Sequence, residues 1–362
     1  MKSVERKNRL LMVCPDIEGL GGISKVVGLW RTGGYFSRFG IEYVASVPAG
    51  GNRLWPLICA LARFLPACAG GCRAVYVHTA SFNSFYRKCL FMIPALLFGR
   101  RVIVHVHPAY FTRFVSELSG LRRIVARGVL SRAAAFVVLT PEIGEDLARL
   151  FPGRPVHVLN NPVDIQAMHD SRGVTRRPGH VLFLGWYMKR KGVYELVDAL
   201  RMLLEEKHEV SADFFGTKET RELREYVSGL GLAGKVRING WIGEAEKLDV
   251  LYGCDMLVLP SHTEGIPNVI LEAMATRTPI VSTLVGGLKE VLRDGENALI
   301  AEPEDARDLS RKILSVMKDR EQALARAENA YRQACERYDL PVIGKRLKDI
   351  LDAAAAPTGP HP

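Results

Sequence analysis

Short apolar runs alternate along this chain with longer stretches in which apolar residues recur at helical spacing. Residues 10–13, 41–44, 74–77, 102–106, 136–140 and 156–159 predict six strands in the first half, and residues 181–184, 212–215, 256–259 and 279–283 predict more in the second. Runs with so little polar alternation suit strands covered on both faces, as in parallel sheets. Helical spacing appears over residues 23–30, at Val269, Ile270, Ala273 and Met274, and over residues 306–337 and 340–351. Strands alternating with helices predict an α/β fold.

A chain of 362 residues with 48% hydrophobic content is long enough for two α/β domains, each with its own core. The turn Asn160-Asn161-Pro162-Val163-Asp164 and the polar stretch 170–179 mark a crossover. The predicted domains are therefore 1–168 and 169–337, followed by a helix over 338–352 and a disordered, alanine- and proline-rich tail over 353–362. Seven cysteines without paired-ligand spacing predict reduced thiols in the cytoplasm, and Cys59, Cys68, Cys72 and Cys89 read as core or interface filler. The charged start MKSVERKNR precedes an apolar run of only five residues, which argues against a signal peptide. The apolar run 89–98 is too short to span a bilayer and contains Pro94.

The net charge of +10 is unevenly placed. Residues 1–160 hold 21 Lys and Arg against 8 Asp and Glu, and residues 43–116 contain no acid. In that window Arg53, Arg63, Arg73, Arg87, Lys88, Arg100, Arg101 and Arg113 are interleaved with Trp55, Leu57, Ile58, Leu61, Phe64 and Leu65. A basic surface beside apolar groups suits an anionic membrane face or a lipid-linked phosphate. No nucleic-acid motif is present, and the interleaved residues are aliphatic rather than stacking, so nucleic acid is not the expected partner. A basic surface that only maintains solubility is the plainer alternative.

Residues 256–275, MLVLPSHTEGIPNVILEAMA, are the stretch around which the chain is organised. A buried strand ends at Pro260, a polar turn follows, and Pro267 fits the first position of a helix. A helix that starts after a strand turns its N-terminal N–H groups and dipole toward the crevice at the strand's carboxyl end, which is an anion site. Glu264 stands in front of it and Glu272 beside it, so a phosphate ester carrying hydroxyls on both sides, such as a sugar nucleotide, would fit. A solvated helix with ordinary surface glutamates is the alternative.

The string EGIPNVILEAMA resembles the E-x7-E signature of group 1 (family 4) retaining glycosyltransferases. That resemblance covers most of residues 150–335 well and the first half loosely. It implies the GT-B fold, two Rossmann-like doubly wound domains facing a central cleft. It also implies that Glu264 faces the transferred sugar, that Gly265 and Ile266 hold sugar and diphosphate through their amides, with Pro267 and Asn268 beside them, and that Glu272 binds the ribose. The crossover turn is similar to the family's P-N-G-V-D, and the family's last helix crosses back onto the first domain. Residues 236–242 resemble the segment that reads the base, which assigns Ile242, and Gly286-Gly287-Leu288-Lys289-Glu290 resembles the family's G-G-x-x-E.

Two glycine turns carry further expectations. Gly21 and Gly22, between the first strand and first helix, let backbone approach a phosphate, and the resemblance sets this turn across from the donor diphosphate. In the second half, Gly185-Trp186-Tyr187-Met188-Lys189-Arg190-Lys191-Gly192 resembles G-R-L-x-x-x-K-G, with Lys191 matching the lysine and Trp186 standing where the arginine is usual. Arg190 beside Lys191 supplies cationic charge to the leaving diphosphate, where charge develops in the transition state. Gly216, in the turn after residues 212–215, is assigned to the donor as well. His107 follows the fourth strand on its carboxyl lip and, by resemblance, approaches the transferred sugar or acceptor. His78 is a second candidate, and His105 reads as an interior strand residue.

No D-x-D motif occurs, and Asp16-Ile17-Glu18 reads as a loop, so no metal and no cofactor is expected and helix N-termini with cations take the metal's place. The expected activity is transfer of a hexosyl unit with retention, from a nucleotide sugar to a saccharide or lipid-linked saccharide of cell-surface polysaccharide or lipopolysaccharide synthesis. The protein is expected in the cytoplasm, peripheral on the inner membrane face. A nucleotide-sugar epimerase of the same fold and a catalytically silent nucleotide-sugar binder are the alternatives, the latter raised by Trp186.

Overall fold

The computed structural model describes residues 9–47, 54–169 and 173–355. The first eight residues, Arg53, residues 170–172 of the polar stretch and the tail beyond Ala355 lie outside them. The chain divides into two compact units, Met1–Pro162 with Leu340–Pro362, and Val163–Asp339. The division falls after Pro162 rather than after Met168. The reason is local: Val163 forms a parallel bridge with Asp339, its N–H donating to the Tyr338 carbonyl at 2.9 Å, and the Ile165 N–H reaches the Asp339 carboxylate at 3.3 Å. Arg177 of the polar stretch is likewise tied inward, its N–H donating to the Gly253 carbonyl.

The first unit is a parallel sheet of β1 (Leu10–Cys14), β2 (Ile41–Ala45), β3 (Ala74–Thr79), β4 (Val102–Val106), β5 (Ala135–Val138) and β6 (Val156–Val158), in the order β2-β1-β3-β4-β5-β6. Side-chain alternation divides its core between two faces. Leu11, Val13, Val75 and Val77 pack beneath the helices Leu54–Ala69, Asn83–Leu97 and Gly120–Leu130. Leu10, Met12, Tyr76 and Ile103 pack beneath Gly22–Thr32 and the last helix, Leu340–Ala355. That last helix buries Leu340, Ile343, Leu347, Ile350, Leu351 and Ala354, an i, i+3, i+4 stripe in which each larger side chain contributes about 1.5–3 kcal/mol. The Tyr35 hydroxyl donates to the Leu340 carbonyl at 3.1 Å, anchoring its start.

The second unit is also a parallel sheet: β7 (His180–Leu184), β8 (Ser211–Phe215), β9 (Val236–Asn239), β10 (Met256–Leu259), β11 (Ile280–Thr283) and β12 (Leu299–Ala301), ordered β12-β11-β10-β7-β8-β9. From β7 the chain winds outward through β8 and β9, then returns to β10 on the other side and winds out again. Read from β9, this is the dinucleotide-binding order, with its switch point between β7 and β10. The first unit has its own switch point between β1 and β3.

Two expectations need correction. The helical pattern over 306–337 is two helices, Ala306–Lys318 and Arg320–Arg337, because the Asp319 carboxylate accepts from the Gln322 N–H at 3.1 Å and caps a new helix. Pro267 is the N-cap, extended at φ −72° and ψ 130°, so the helix begins at Asn268. The Gly286–Glu290 segment, for which the sequence offered only a motif resemblance, is a 3-10 turn.

Candidate active site

In the second unit the carboxyl ends of β7 and β10 carry the residues that the sequence singled out. After β7 come Gly185, Trp186 and a 3-10 turn Lys189–Lys191, closed by Gly192 in the left-handed region at φ 70°. After β10 come Ser261, Glu264 and the helix Asn268–Ala275. The two loops are joined by the His262 N–H donating to the Arg190 carbonyl at 2.9 Å, and the His262 ring lies 3.1 Å from the Glu195 carboxylate on the helix that follows.

Glu264 is buried, and its Oε1 accepts from both the Lys191 ammonium and the Ser261 hydroxyl, the latter at 2.8 Å. Its main chain is also fixed. The Gly287 N–H donates to the Glu264 carbonyl at 3.1 Å, and a Cβ on Gly286, itself at φ 48°, would run into that same oxygen. Here the G-G-x-x-E segment has a visible job, which is to back the acid from behind. Among the described residues the Glu290 side chain makes no hydrogen bond or ion pair, and its carbonyl accepts from the Tyr338 hydroxyl.

Glu272 is buried on the helix Asn268–Ala275 and accepts from the Lys247 ammonium at 2.9 Å, while Lys247 also reaches Glu244 at 2.8 Å. A buried carboxylate without such a partner would be costly, so the Lys247 contact offsets its burial and holds Glu272 in place. Gly265, Pro267 and Asn268 are partly exposed between the two acids, and Ile266 is buried. Gly216 donates its N–H to the Gly240 carbonyl at 3.1 Å and lies so close to the Gly185 carbonyl that no side chain fits. Ile242 sits in the loop after β9, partly exposed.

Arg190 makes no ion pair among the described residues, leaving its charge available. Trp186 is covered by the Lys218 ammonium, 5.1 Å from the ring centroid, and Lys218 holds a left-handed φ of 94°. The position that lacks arginine thus has a different cation over it, supplied by the loop after β8. Lys247 and Lys218 carry no local sequence signal, since each meets its partner only through the fold, whereas Ser261 bonds Glu264 from three residues away in the same turn.

In the first unit Gly21 is the N-cap of the helix Gly22–Thr32, at φ 155° and ψ 160°, with open space where a Cβ would stand. His107 follows β4, partly exposed, its N–H donating to the Thr79 carbonyl at 3.2 Å. Its Nε2 lies 2.9 Å from Nδ1 of His78, which is buried at the end of β3. His105 is an interior strand residue, with its Nδ1 at 3.0 Å from the Tyr76 hydroxyl. Desolvation pushes all three imidazoles well below their ordinary value, His107 to about 3, so they are neutral near pH 7.

Two doubly wound parallel units, one holding an E-x7-E pair and a lysine at its switch point, define a glycosyltransferase scaffold of the GT-B type. Residues 164–333 match the family described as glycosyl transferases group 1, and residues 19–167 match glycosyltransferase family 4, so the chain belongs to the group 1 (family 4) glycosyltransferases. It is 30% identical over 217 residues to the lipopolysaccharide core biosynthesis glycosyltransferase LpsE of Rhizobium meliloti. That match covers 59% of this chain and 62% of LpsE, less than two thirds of the relative's length. It is 24% identical over 274 residues to the alpha-D-kanosaminyltransferase of Streptomyces kanamyceticus, covering 70% and 71% of the two. Among solved structures, Anabaena HepE in complex with UDP superposes with a TM-score of 0.75 at 19% identity, over 95% of this chain and 100% of that one. HepE in complex with UDP-glucose gives 0.75 at 18% identity, over 95% and 99%. At these identities the structural likeness concerns the fold.

Proposed function

We propose that the protein transfers a hexosyl unit from a nucleotide sugar to a saccharide or lipid-linked saccharide, with retention at the anomeric carbon and without a metal in the chemical step. The observation that carries this reading is the buried Glu264, held by Lys191 and Ser261 at the switch point of the second unit. Lys191 and Arg190, the latter without an ion pair among the described residues, supply fixed positive charge for a leaving diphosphate, and Glu272, held by Lys247, offers a carboxylate to ribose hydroxyls. The acceptor oxygen bonds to the anomeric carbon as the carbon–phosphate-oxygen bond breaks. The acceptor proton passes to the departing diphosphate, and the nucleoside diphosphate is the second product. Glu264 holds sugar hydroxyls in this scheme and is not a nucleophile, since its side-chain partners among the described residues are Lys191 and Ser261 rather than the second acid a hydrolase would require.

The UDP and UDP-glucose bound by HepE make a UDP-sugar the first donor to test. A thermal-shift panel of nucleotide sugars identifies the donor, because a ligand of the native state raises its melting temperature by mass action. Release of nucleoside diphosphate only when an acceptor is added supports transfer. Release or isomerisation without acceptor would favour an epimerase, and binding without turnover a silent binder.

The surface of the first unit supports a membrane-bound acceptor. Apart from Trp241, Leu284 and Leu324, every exposed large hydrophobic among the described residues lies in this unit. Leu54, Trp55, Leu97, Leu121 and Ile124 are all more than 60% exposed, on the helix layer Leu54–Ala69, Asn83–Leu97 and Gly120–Leu130 that also carries exposed Arg63, Arg122 and Arg123. No helix among the described residues is long and apolar enough to cross a membrane. The reading is therefore peripheral attachment to an anionic face in the cytoplasm, in lipopolysaccharide or related polysaccharide synthesis. Flotation with anionic vesicles before and after raising salt tests it, and absence of salt-sensitive binding removes it.

A further inference from the structure

The ends of β3 and β4 in the first unit bring three histidines together from two neighbouring strands. His105 and His107 are two apart and so project to one face of the sheet, and His78 is the registered partner of His105 across the β3–β4 ladder. One nitrogen from each lies within 4.8 Å of the others, and among the described residues this is the one group of three potential ligands of this kind. His107 stacks on both other rings, His78 and His105 are tilted to one another, and the centroids are 4.1–5.2 Å apart.

Two features separate this cluster from a set of satisfied core histidines. Nε2 of His78 and Nε2 of His105 are buried without a hydrogen-bond partner, and such a buried polar atom costs about 1–3 kcal/mol. Second, the other nitrogen of His105 is already held by the Tyr76 hydroxyl, the outer contact that fixes a ligating imidazole's tautomer and orientation.

We propose that His78, His105 and His107 form a binding site for a borderline divalent cation of the zinc class. Three neutral imidazoles with no carboxylate are poor ligands for magnesium or calcium and good ones for Zn²⁺, Co²⁺, Ni²⁺ or Cu²⁺. Tetrahedral coordination at about 2.0–2.1 Å places ligand nitrogens roughly 3.3 Å apart, so rotation of the rings must draw together the 4.8 Å set. His107 reaches the surface and gives the ion an entry path, and the fourth position is left for water. A bound ion takes the lone pair of His107, so it inhibits transfer rather than assisting it. That last consequence rests on the transferase reading, whereas binding does not.

Titration of the full chain with Co²⁺, followed by visible absorption and displaced by Zn²⁺, tests the site in wild type and in His78→Asn, His105→Gln and His107→Ala. His157→Gln, elsewhere in the same sheet, is the control. The expected result is one ion per chain with four-coordinate bands and no sulfur-to-metal charge transfer. Affinity should fall roughly tenfold or more in each cluster variant and stay unchanged in the control. Circular dichroism identifies any variant that fails to fold, and His107→Ala at the rim then decides. Failure to bind, bands from cysteine thiolate, or wild-type affinity in His107→Ala overturns the site. Binding without inhibition leaves the site standing and removes only the role given to His107.

Discussion

The ammonium of Lys191 donates to the carboxylate of Glu264, joining the turn after β7 to the loop after β10 across the point where the second sheet reverses its winding. Both side chains are mostly withdrawn from solvent, at 14% and 8% exposure, so neither charge is screened as a surface charge would be. The pair is a stability element in the free protein. It is also the most direct point at which a diphosphate could compete with the acid for the lysine.

Removing one partner should therefore be worse than removing both. Lys191→Ala leaves Glu264 with Ser261 alone and should destabilise by up to about 3–5 kcal/mol, and Lys191→Met with Glu264→Gln should recover part of that loss. Urea melts of the single and double variants measure the coupling. Strict additivity would mean that the contact contributes nothing. Turnover should fall roughly 10²–10³-fold in either single variant if Lys191 meets developing phosphate charge and Glu264 the sugar.

Glu272 gives a separable prediction. Lys247→Met should free or misplace the carboxylate and raise the donor KM about tenfold, close to 1.4 kcal/mol, with a smaller effect on kcat. The wild type should prefer a ribonucleotide over its 2′-deoxy analogue, and Glu272→Ala should lose that preference. Equal discrimination in wild type and variant, read by isothermal titration, would move the ribose elsewhere.

Lys88 is buried on the helix Asn83–Leu97, bonded to the Ser46 hydroxyl, and desolvation pushes its amine down to about 7 from an ordinary value near 10.5. Between these values the unfolded chain binds more protons than the native one, so stability should rise with pH from about 7 toward 10.5. Lys88→Met should flatten that rise and add on the order of a few kcal/mol at pH 7. Guanidinium melts at pH 7 and 9 check both. A variant less stable than wild type at pH 7 would show that the Ser46 contact outweighs desolvation.

The last helix should be indispensable to the first unit. Leu347→Ala, at a fully packed position, should cost about 2–5 kcal/mol, and a tryptophan signal from the buried Trp30 should report the loss. A change below about 1 kcal/mol would mean that the helix is only loosely seated.

Much of this was legible because buried parallel strands write themselves as apolar runs. Met256–Leu259 and Val102–Val106 read directly. Leu299–Ala301 did not, because three residues after a polar turn carry too little pattern, and it is placed only by pairing with β11. Asp319 divides two helices without glycine or proline, so the periodicity runs on through it. At the site, the spacing of Glu264 and Glu272 and the lysine turn were readable. Lys247 was not, being 25 residues from Glu272 and brought to it by helix packing. His78, His105 and His107 were read one at a time, because their assembly depends on the register of β3 against β4, which no local pattern records.

The place of Leu340–Ala355 in the chain has a consequence for biosynthesis. Its partners Met12, Trp30 and Ile103 leave the ribosome early, yet the helix that covers them follows the whole segment Val163–Asp339. At about 5–20 residues per second, that apolar face waits on the order of ten seconds or more for its cover. The nascent chain thus exposes a sticky half-finished sheet while its neighbour folds, and is a natural client for ribosome-bound chaperones.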